Sequence, residues 1–440
     1  MTPIDLQLCP RKSALLLGHD NRLDVLVRVA GPPPPREAPA KKALNLALVI
    51  DKSGSMSGQP LHEAKRCAIA IIERLTPGDF VSVVAYDNHP ELVWPARAIT
   101  HAAGLREAVS AIREGGATAL HDGWAAGAEQ AALNVSKAGI SRVLLLSDGG
   151  ANAGLTDPGQ IASHCAQMAE MGVSTSTYGL GASFNETLML AMARSGGGNG
   201  YYGQTAADLM GPFQEEFDLL QAICARNLRL RLSAGPGVKL RVTNDLREKD
   251  GGWRLPDLAY GSEAWAMVRL SLGMDRVAVG AQAPIPLLKA SLDYDTDGGS
   301  CVAGPAMLSL PSLPVSAYVA LLDDEAVARR AQEVRVAKFQ RDAAEAARQG
   351  DWDRVDGVLE KARTEARGNA WLSAAMPSLE RYARARDREQ FAKEATFKSE
   401  RMMSRLSVSD EGGGFSAASE LAQPSFLRRR PEEGKTDPGG

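Results

Sequence analysis

The chain has 440 residues, 44% of them hydrophobic and 5% aromatic, with a formal net charge of −3 and a pI near 6.2. That length argues about three domains with ample material for a core, and the near-neutral balance with few aromatics excludes a basic, base-stacking nucleic-acid binder. The five cysteines (Cys9, Cys67, Cys165, Cys224, Cys301) are scattered without a C-x-x-C or Cys/His cluster, so neither zinc nor a disulfide framework is indicated.

The first residues, Met1 to Asp5, lack a basic region followed by an apolar stretch, the pattern of a secretory leader. No apolar run approaches the roughly 18 residues that a membrane span requires. The expectation is a soluble, cytoplasmic protein with no membrane partner. Leu6-Gln7-Leu8, Ala14 to Leu17 and Leu23 to Val29 read as strands, the last alternating as a half-buried strand does. Gly31-Pro32-Pro33-Pro34-Pro35 then forms a stiff extended linker.

Ala43 to Ile50 is an apolar run, interrupted by Asn45, that ends in Asp51-Lys52-Ser53-Gly54-Ser55. Such runs read as buried parallel strands, and ligands of open α/β sheets bind at the carboxyl ends of the strands. Asp51, Ser53 and Ser55, at alternate positions, can aim their oxygens at one spot, and an all-oxygen set with one anion suits a hard divalent cation such as Mg²⁺. Gln59 to Leu75 has helical apolar spacing. Phe80 to Tyr86 is the next strand, and Leu92 to Pro95 an edge strand, since Pro95 cannot donate to a ladder. Helices are expected near 104–113 and 122–137, the second preceded by the Gly-rich loop Gly115-Gly116-Ala117-Thr118. Another apolar strand, Val143 to Leu146, runs into Ser147-Asp148-Gly149-Gly150. A helix near 158–171, a strand over Val173–Gly179, a helix near 184–195, a short strand at Tyr201-Tyr202 and a helix near 205–225 follow. This alternation predicts a doubly wound, mostly parallel sheet of α/β class.

From Asn227 the period switches to two, as in Leu228 to Leu232, Val238 to Val242 and Trp265 to Leu272. A β-sandwich over 226–320 is expected, completed by the strands of residues 1–35, with the α/β domain (40–225) inserted between them. Residues 323–406 turn to Ala, Arg, Glu and Lys at helical spacing, with a stop and new cap at Gly350-Asp351, and read as a helical bundle or stalk. Residues 407–440 are Ser-, Gly- and Pro-rich and are expected to be a disordered tail.

Asp51-x-Ser53-x-Ser55, followed in order by Thr118 in its Gly-rich loop and Asp148 after an apolar strand, resembles the metal-ion-dependent adhesion site of the von Willebrand factor type A family. The resemblance covers residues 40–225. Together with the flanking strands, the arrangement is similar to bacterial proteins loosely named calcium-activated chloride channel homologues, although nothing in this chain could form a channel. The resemblance implies a Rossmann-like fold and a metal site of Asp51, Ser53, Ser55, Thr118 and Asp148, holding Mg²⁺ or alternatively Mn²⁺ or Ca²⁺. By that resemblance the Ser53 and Ser55 hydroxyls would ligate, Thr118 would ligate directly in one state, and Asp51 and Asp148 would act directly or through water depending on state, with a partner's Asp or Glu completing the shell. It further implies that ligation is coupled, in family members, to a shift of the last helix, near 205–225 here. The function implied is a metal-dependent protein-interaction module, an adaptor or scaffold rather than an enzyme. Partners would be proteins of the class of MoxR-type AAA+ ATPases or kinase and phosphatase systems. A Mg²⁺-dependent hydrolase and a structural assembly protein are the competing readings. Of the remaining residues, Asp122 is expected to cap a helix, His62, His101 and His121 to be surface or capping groups, and Phe213 and Phe217 to pack on the inner face of the last helix. Ser147 lacks the G-x-S-x-G context of a nucleophile.

Overall fold

A computed structural model describes residues 4–35, 42–135, 139–180, 184–203, 205–277, 283–404 and 407–408. They fall into two compact units, one drawn from the stretches before residue 37 and after 221, the other from the stretch between.

In the middle unit the strands are β1 (Leu44–Asp51), β2 (Phe80–Tyr86), β3 (Pro90–Ala98), β4 (Ile140–Ser147), β5 (Val173–Leu180) and β6 (Gly197–Gly203). The helices are α1 (Gln59–Ile72), α2 (Ala102–Ala111), α3 (Leu120–Ala132), α4 (Pro158–Glu170), α5 (Glu186–Ser195) and α6 (Ala206–Ala222). The six strands pair in the order β3-β2-β1-β4-β5-β6. Only β3 runs antiparallel to its neighbour. Every residue of β1 and of β4 is buried, which explains why both are mostly apolar, with Asn45, Ser141 and Arg142 as the interior polar residues. From β1 the chain builds outward to β2 and β3 on one side and returns through β4 to the other. The topological switch point therefore lies between β1 and β4, where α/β sheets open a crevice at the strand ends.

Helix α3 lies unusually close to this sheet. A Cβ on Gly123 would stand 2.3 Å from Tyr86 Cγ, and one on Gly127 2.2 Å from Val49 Cγ2. Two glycines one turn apart thus let the helix backbone settle onto β1 and β2. At the other side, α6 buries Leu209, Phe213, Glu216 and Leu220 along one face. Phe213 stacks on Tyr178 at 4.2 Å between centroids, and Tyr178 stacks on Tyr201. Phe217 is only half-buried. The helix ends at Ala222, short of the expected residue 225, because Ile223, Cys224 and Ala225 are buried at the start of the strand Ile223–Ala234.

In the other unit, Asp5–Pro10 and Asn21–Ala30 form an antiparallel sheet with Ser262–Leu272 and Val238–Val242. Strands Ile223–Ala234, Ile285–Thr296 and Gly299–Leu310 belong to a second antiparallel sheet. Helices Glu325–Gln349, Trp352–Ala366, Met376–Arg384 and Arg388–Ser404 follow. Gly350 stops the first of these with φ +77°, and the Asp351 carboxylate caps the next by accepting from Arg354 N. This helical region does not stand off as a stalk. Leu26, Trp265 and Met267 of the first sheet share one core with Val327, Val334, Ala337 and Met403 of the helices. Two residues of the expected tail, Ser407–Val408, pair with Ser262 and Glu263; the rest of that expectation, 409–440, lies outside the described residues.

Candidate functional site

Three loops meet at the switch point, those after β1 and β4 and the one that joins α2 to α3, and backbone hydrogen bonds stitch them together. Gly54 N donates to Gly116 O (2.8 Å) and Gly115 N to Lys52 O (2.7 Å), which fixes the turn after β1 against the loop before α3. Asn152 N and Ala153 N each donate to Thr118 O (3.2 Å), and Thr118 N donates to Asn152 Oδ1 (2.7 Å), which fixes that loop against the one after β4. The Gly115–Thr118 loop is also held from the β2–β3 turn, where Asp87 Oδ2 accepts from Gly116 N and Asn88 Oδ1 from Ala117 N. The sequence pattern singled out none of Asp87, Asn88 or Asn152.

Asp51 is fully buried at the end of β1. Its Oδ1 accepts from Ser53 N (2.9 Å), and its Oδ2 accepts from Ser147 Oγ (2.6 Å) and Tyr86 OH (3.1 Å). Two donors exhaust the lone pairs of Oδ2, so any further contact uses the remaining capacity of Oδ1. Burial pushes the Asp51 carboxyl above its usual range; the hydrogen bonds from Ser147 and Ser53 oppose the rise, and the charge of Asp148 adds to it. Tyr86, wholly buried against this carboxylate, has its phenol pushed well above the ordinary value by burial and then by Asp51. Ser147 therefore acts as a relay, accepting from Gly149 N (2.7 Å) while donating to Asp51.

The hydroxyls of Ser53, which is buried, and Ser55, which is exposed, lie 3.2 Å apart. Thr118 is buried and Asp148 half-buried. Asp148 Oδ1 accepts from Gly150 N, and its carbonyl accepts from Asn185 N. Gly149 adopts φ +71°, and a Cβ there would meet Asn185 N at 2.9 Å, so the turn after Asp148 requires glycine. Lys52, between Asp51 and Ser53, turns away to Glu91 in β3 (2.7 Å) and Asp87 on the β2–β3 turn (4.0 Å).

Asp122 does not cap α3. The N-cap is Ala119, and Asp122 Oδ1 lies instead 3.2 Å from His121 Nδ1. His101 occupies the N-cap of α2 but makes no side-chain capping bond, and His62 is exposed. His121 is paired with His164, a residue that the sequence pattern left unmarked.

Residues 45–215 match the family model of the von Willebrand factor type A domain. The chain carries a von Willebrand factor type A domain. An uncharacterized protein of Synechocystis sp. is 29% identical over 209 residues, covering 47% of this chain and 48% of that one. The chain spans about half the length of this curated relative and less of the others it matches. Among solved structures, a von Willebrand factor type A protein from Catenulispora acidiphila shares 17% identity with a TM-score of 0.69, over 90% of this chain and 96% of that one. The ArnB paralog VWA2 from Sulfolobus acidocaldarius shares 19% identity with a TM-score of 0.60, over 90% and 98%. These likenesses show the fold, and both extend well beyond the von Willebrand factor type A domain. Such domains generally mediate metal-dependent protein–protein interaction and commonly bind a divalent metal at the adhesion site. No helix among the described residues is long and apolar enough to cross a membrane.

Proposed function

We propose that the von Willebrand factor type A domain captures a protein partner by an Asp or Glu side chain, through a divalent cation held at the switch point. The observation that carries this reading is the Ser53–Ser55 hydroxyl pair, 3.2 Å apart, beside a buried Asp51 whose orientation is fixed from three sides. The donor chemistry fits a hard cation, being oxygen throughout and flexible in count. Among the described residues no cluster of three His, Cys, Asp or Glu side chains competes with it as a metal site.

Ser53, Ser55, Thr118 and Asp148 would hold the ion, and Asp51, engaged by Ser147, Tyr86 and Ser53 N, would contribute its charge through Oδ1 or an intervening water. When bound, the cation supplies the electrostatic seat for the partner's carboxylate. Two carboxylates against three neutral hydroxyls leave the shell short of anionic ligands, so an incoming acid completes it. Mg²⁺ is the expected ion, with Mn²⁺ and Ca²⁺ as alternatives, since oxygen sites accept all three. An adaptor or scaffold role, with a partner from a MoxR-type ATPase or a kinase or phosphatase system, extends this reading by resemblance.

The test is calorimetric titration of Mg²⁺ and Mn²⁺ into the wild type and into Asp51→Ala and Ser53→Ala, followed by pull-down with and without EDTA. Metal binding lost in both variants, with partner capture lost in parallel, is the expected result. Undiminished capture in EDTA would overturn the proposal. Mg²⁺-dependent phosphatase or nuclease turnover abolished by Asp148→Ala would replace it with a hydrolase.

A further inference from the structure

A second set of donors lies on α3 and α4, and its chemistry differs from that of the oxygen cluster. His121 stands in the first turn of α3 and His164 in the middle of α4. His121 Nε2 and His164 Nδ1 are 2.9 Å apart, and the ring centroids are separated by 5.0 Å with the planes tilted by 55°. The other nitrogen of His121, Nδ1, faces Asp122 Oδ1 at 3.2 Å. An ionised carboxylate only accepts hydrogen bonds, so Nδ1 of His121 carries the proton and Nε2 keeps its lone pair. The N–H at His164 Nδ1 then donates to that lone pair.

A histidine whose unprotonated nitrogen faces a second donor while a carboxylate orients it from behind is the arrangement that proteins use for metal-ligating imidazoles. Asp122 takes the supporting position here. The side chain of His121 is only 17% exposed. Its helix is anchored one turn further on by Trp124, whose ring lies 5.9 Å from the imidazole and whose indole N–H donates to Thr175 Oγ1. The rings are therefore pre-positioned and still reachable from solvent.

We propose that His121 and His164 chelate a borderline transition-metal ion of the Zn²⁺, Ni²⁺ or Cu²⁺ class, at a site separate from the one formed by Asp51, Ser53 and Ser55. Two nitrogens on a tetrahedral ion, each about 2.0–2.1 Å from it, stand about 3.3 Å apart, so an opening of about 0.4 Å admits the metal. His121 already holds the required tautomer. His164 needs only to carry its proton on Nε2 in place of Nδ1, which leaves both rings neutral. No third His, Cys, Asp or Glu joins the pair among the described residues. The remaining positions then go to water or to a donor carried by another molecule. Ligand softness separates the two sites: Mg²⁺ prefers oxygen, and imidazole favours the later divalent metals.

The test uses the untagged full chain, stripped with a chelator and returned to buffer with millimolar MgCl₂. Substoichiometric CuCl₂ is added for electron paramagnetic resonance, and Zn²⁺ is titrated calorimetrically. The wild-type copper spectrum should show nitrogen superhyperfine structure, a readout that needs no variant. His121→Gln and His164→Gln, checked for folding by circular dichroism, should each weaken Zn²⁺ by about tenfold or more, and Asp122→Asn by about tenfold. A wild-type copper spectrum without nitrogen ligands, or Zn²⁺ affinity unchanged in both histidine variants, would overturn the proposal. Neither result would bear on the Mg²⁺ reading of the oxygen cluster.

Discussion

Glu216 on α6 offers the sharpest test of the energetics in the α/β unit. Its side chain is 2% exposed, and its carboxylate takes four donors from three strands. Oε1 accepts from Arg142 Nη1 and from Ser176 Oγ (2.6 Å), and Oε2 from Asn199 Nδ2 (2.8 Å) and Tyr201 OH (3.0 Å). Arg142 is equally buried and also donates through Nε to Ser174 Oγ. Truncating one partner of such a pair strands the other charge, so Glu216→Ala should cost about 3–5 kcal/mol. The double variant Arg142→Leu/Glu216→Leu should recover part of this. It still takes the acceptor away from the buried Ser176 hydroxyl, at about 1–3 kcal/mol. Burial pushes the Glu216 carboxyl up, but the Arg142 charge and the hydrogen bonds from Ser176 and Asn199 outweigh that and hold it below its ordinary value. A carboxyl depressed in the folded state stabilises fully above its unfolded pKa, near 4.3 for Glu. That contribution is lost as pH falls through the folded value. Urea unfolding of the wild type and Glu216→Gln at pH 7, and at steps below about pH 4, should therefore show a gap that narrows on acidification. A cost under about 1 kcal/mol for Glu216→Ala, or a gap that widens in acid, would refute the reasoning.

Four further outcomes follow from particular contacts. Ser147→Ala removes one donor from the buried Asp51 carboxylate; it should destabilise by about 1.5–3 kcal/mol in urea unfolding and weaken Mg²⁺ by about tenfold or more in calorimetry. Gly123→Ala forces a Cβ to 2.3 Å from Tyr86 Cγ, so it should cost about 1–3 kcal/mol, read as a lowered unfolding midpoint. Added Mg²⁺ should raise the stability of the α/β unit by about 2.7 kcal/mol at a hundred times its Kd, with the gain absent in Ser53→Ala. Amide exchange in α6 should be unchanged by Mg²⁺, because the Glu216 clamp fixes that helix; faster exchange on metal addition would show that the clamp opens.

Much of this was legible along the chain because β1 and β4 are buried on both faces and therefore read as mostly apolar runs, interrupted by Asn45 and by Ser141-Arg142. Their polar ends, Asp51 and Ser147-Asp148, then stand out against them. What the pattern did not show depends on groups distant in sequence meeting in space. Tyr86 reads as one more apolar residue closing a strand, and only the pairing of β2 beside β1 reveals that its hydroxyl supports Asp51. Asn152 and Asn88 read as loop residues, and their backbone-binding role appears once three loops converge. Gly123 and Gly127 sit at helical spacing in a segment that reads as an ordinary amphipathic helix; the close approach of α3 is what requires them. His121 and His164 are 43 residues apart, beyond any local motif. Glu216 looks like a surface charge on α6, and its burial follows from Arg142, which sits inside an otherwise apolar strand.

The position of Arg142 also bears on how the domain responds to a ligand. It lies near the start of β4 and Ser147 at its end, five residues apart, or about 17 Å at strand rise. The clamp on α6 is thus at the opposite end of the strand from the loops that carry Asp51 and Asp148. A shift of α6 by one helical turn would break all four hydrogen bonds to Glu216 and unstack Phe213 from Tyr178. Leaving one charge of a buried ion pair uncompensated costs about 3–5 kcal/mol, whereas couplings between sites typically amount to about 1–3 kcal/mol. A coupling on that scale, if the proposed cation binds at Asp148, would fall short of what moving α6 costs. The proposed cation site is accordingly expected to bind in place, with Ser147 and Tyr86 orienting Asp51 and Asn152 holding Thr118 N.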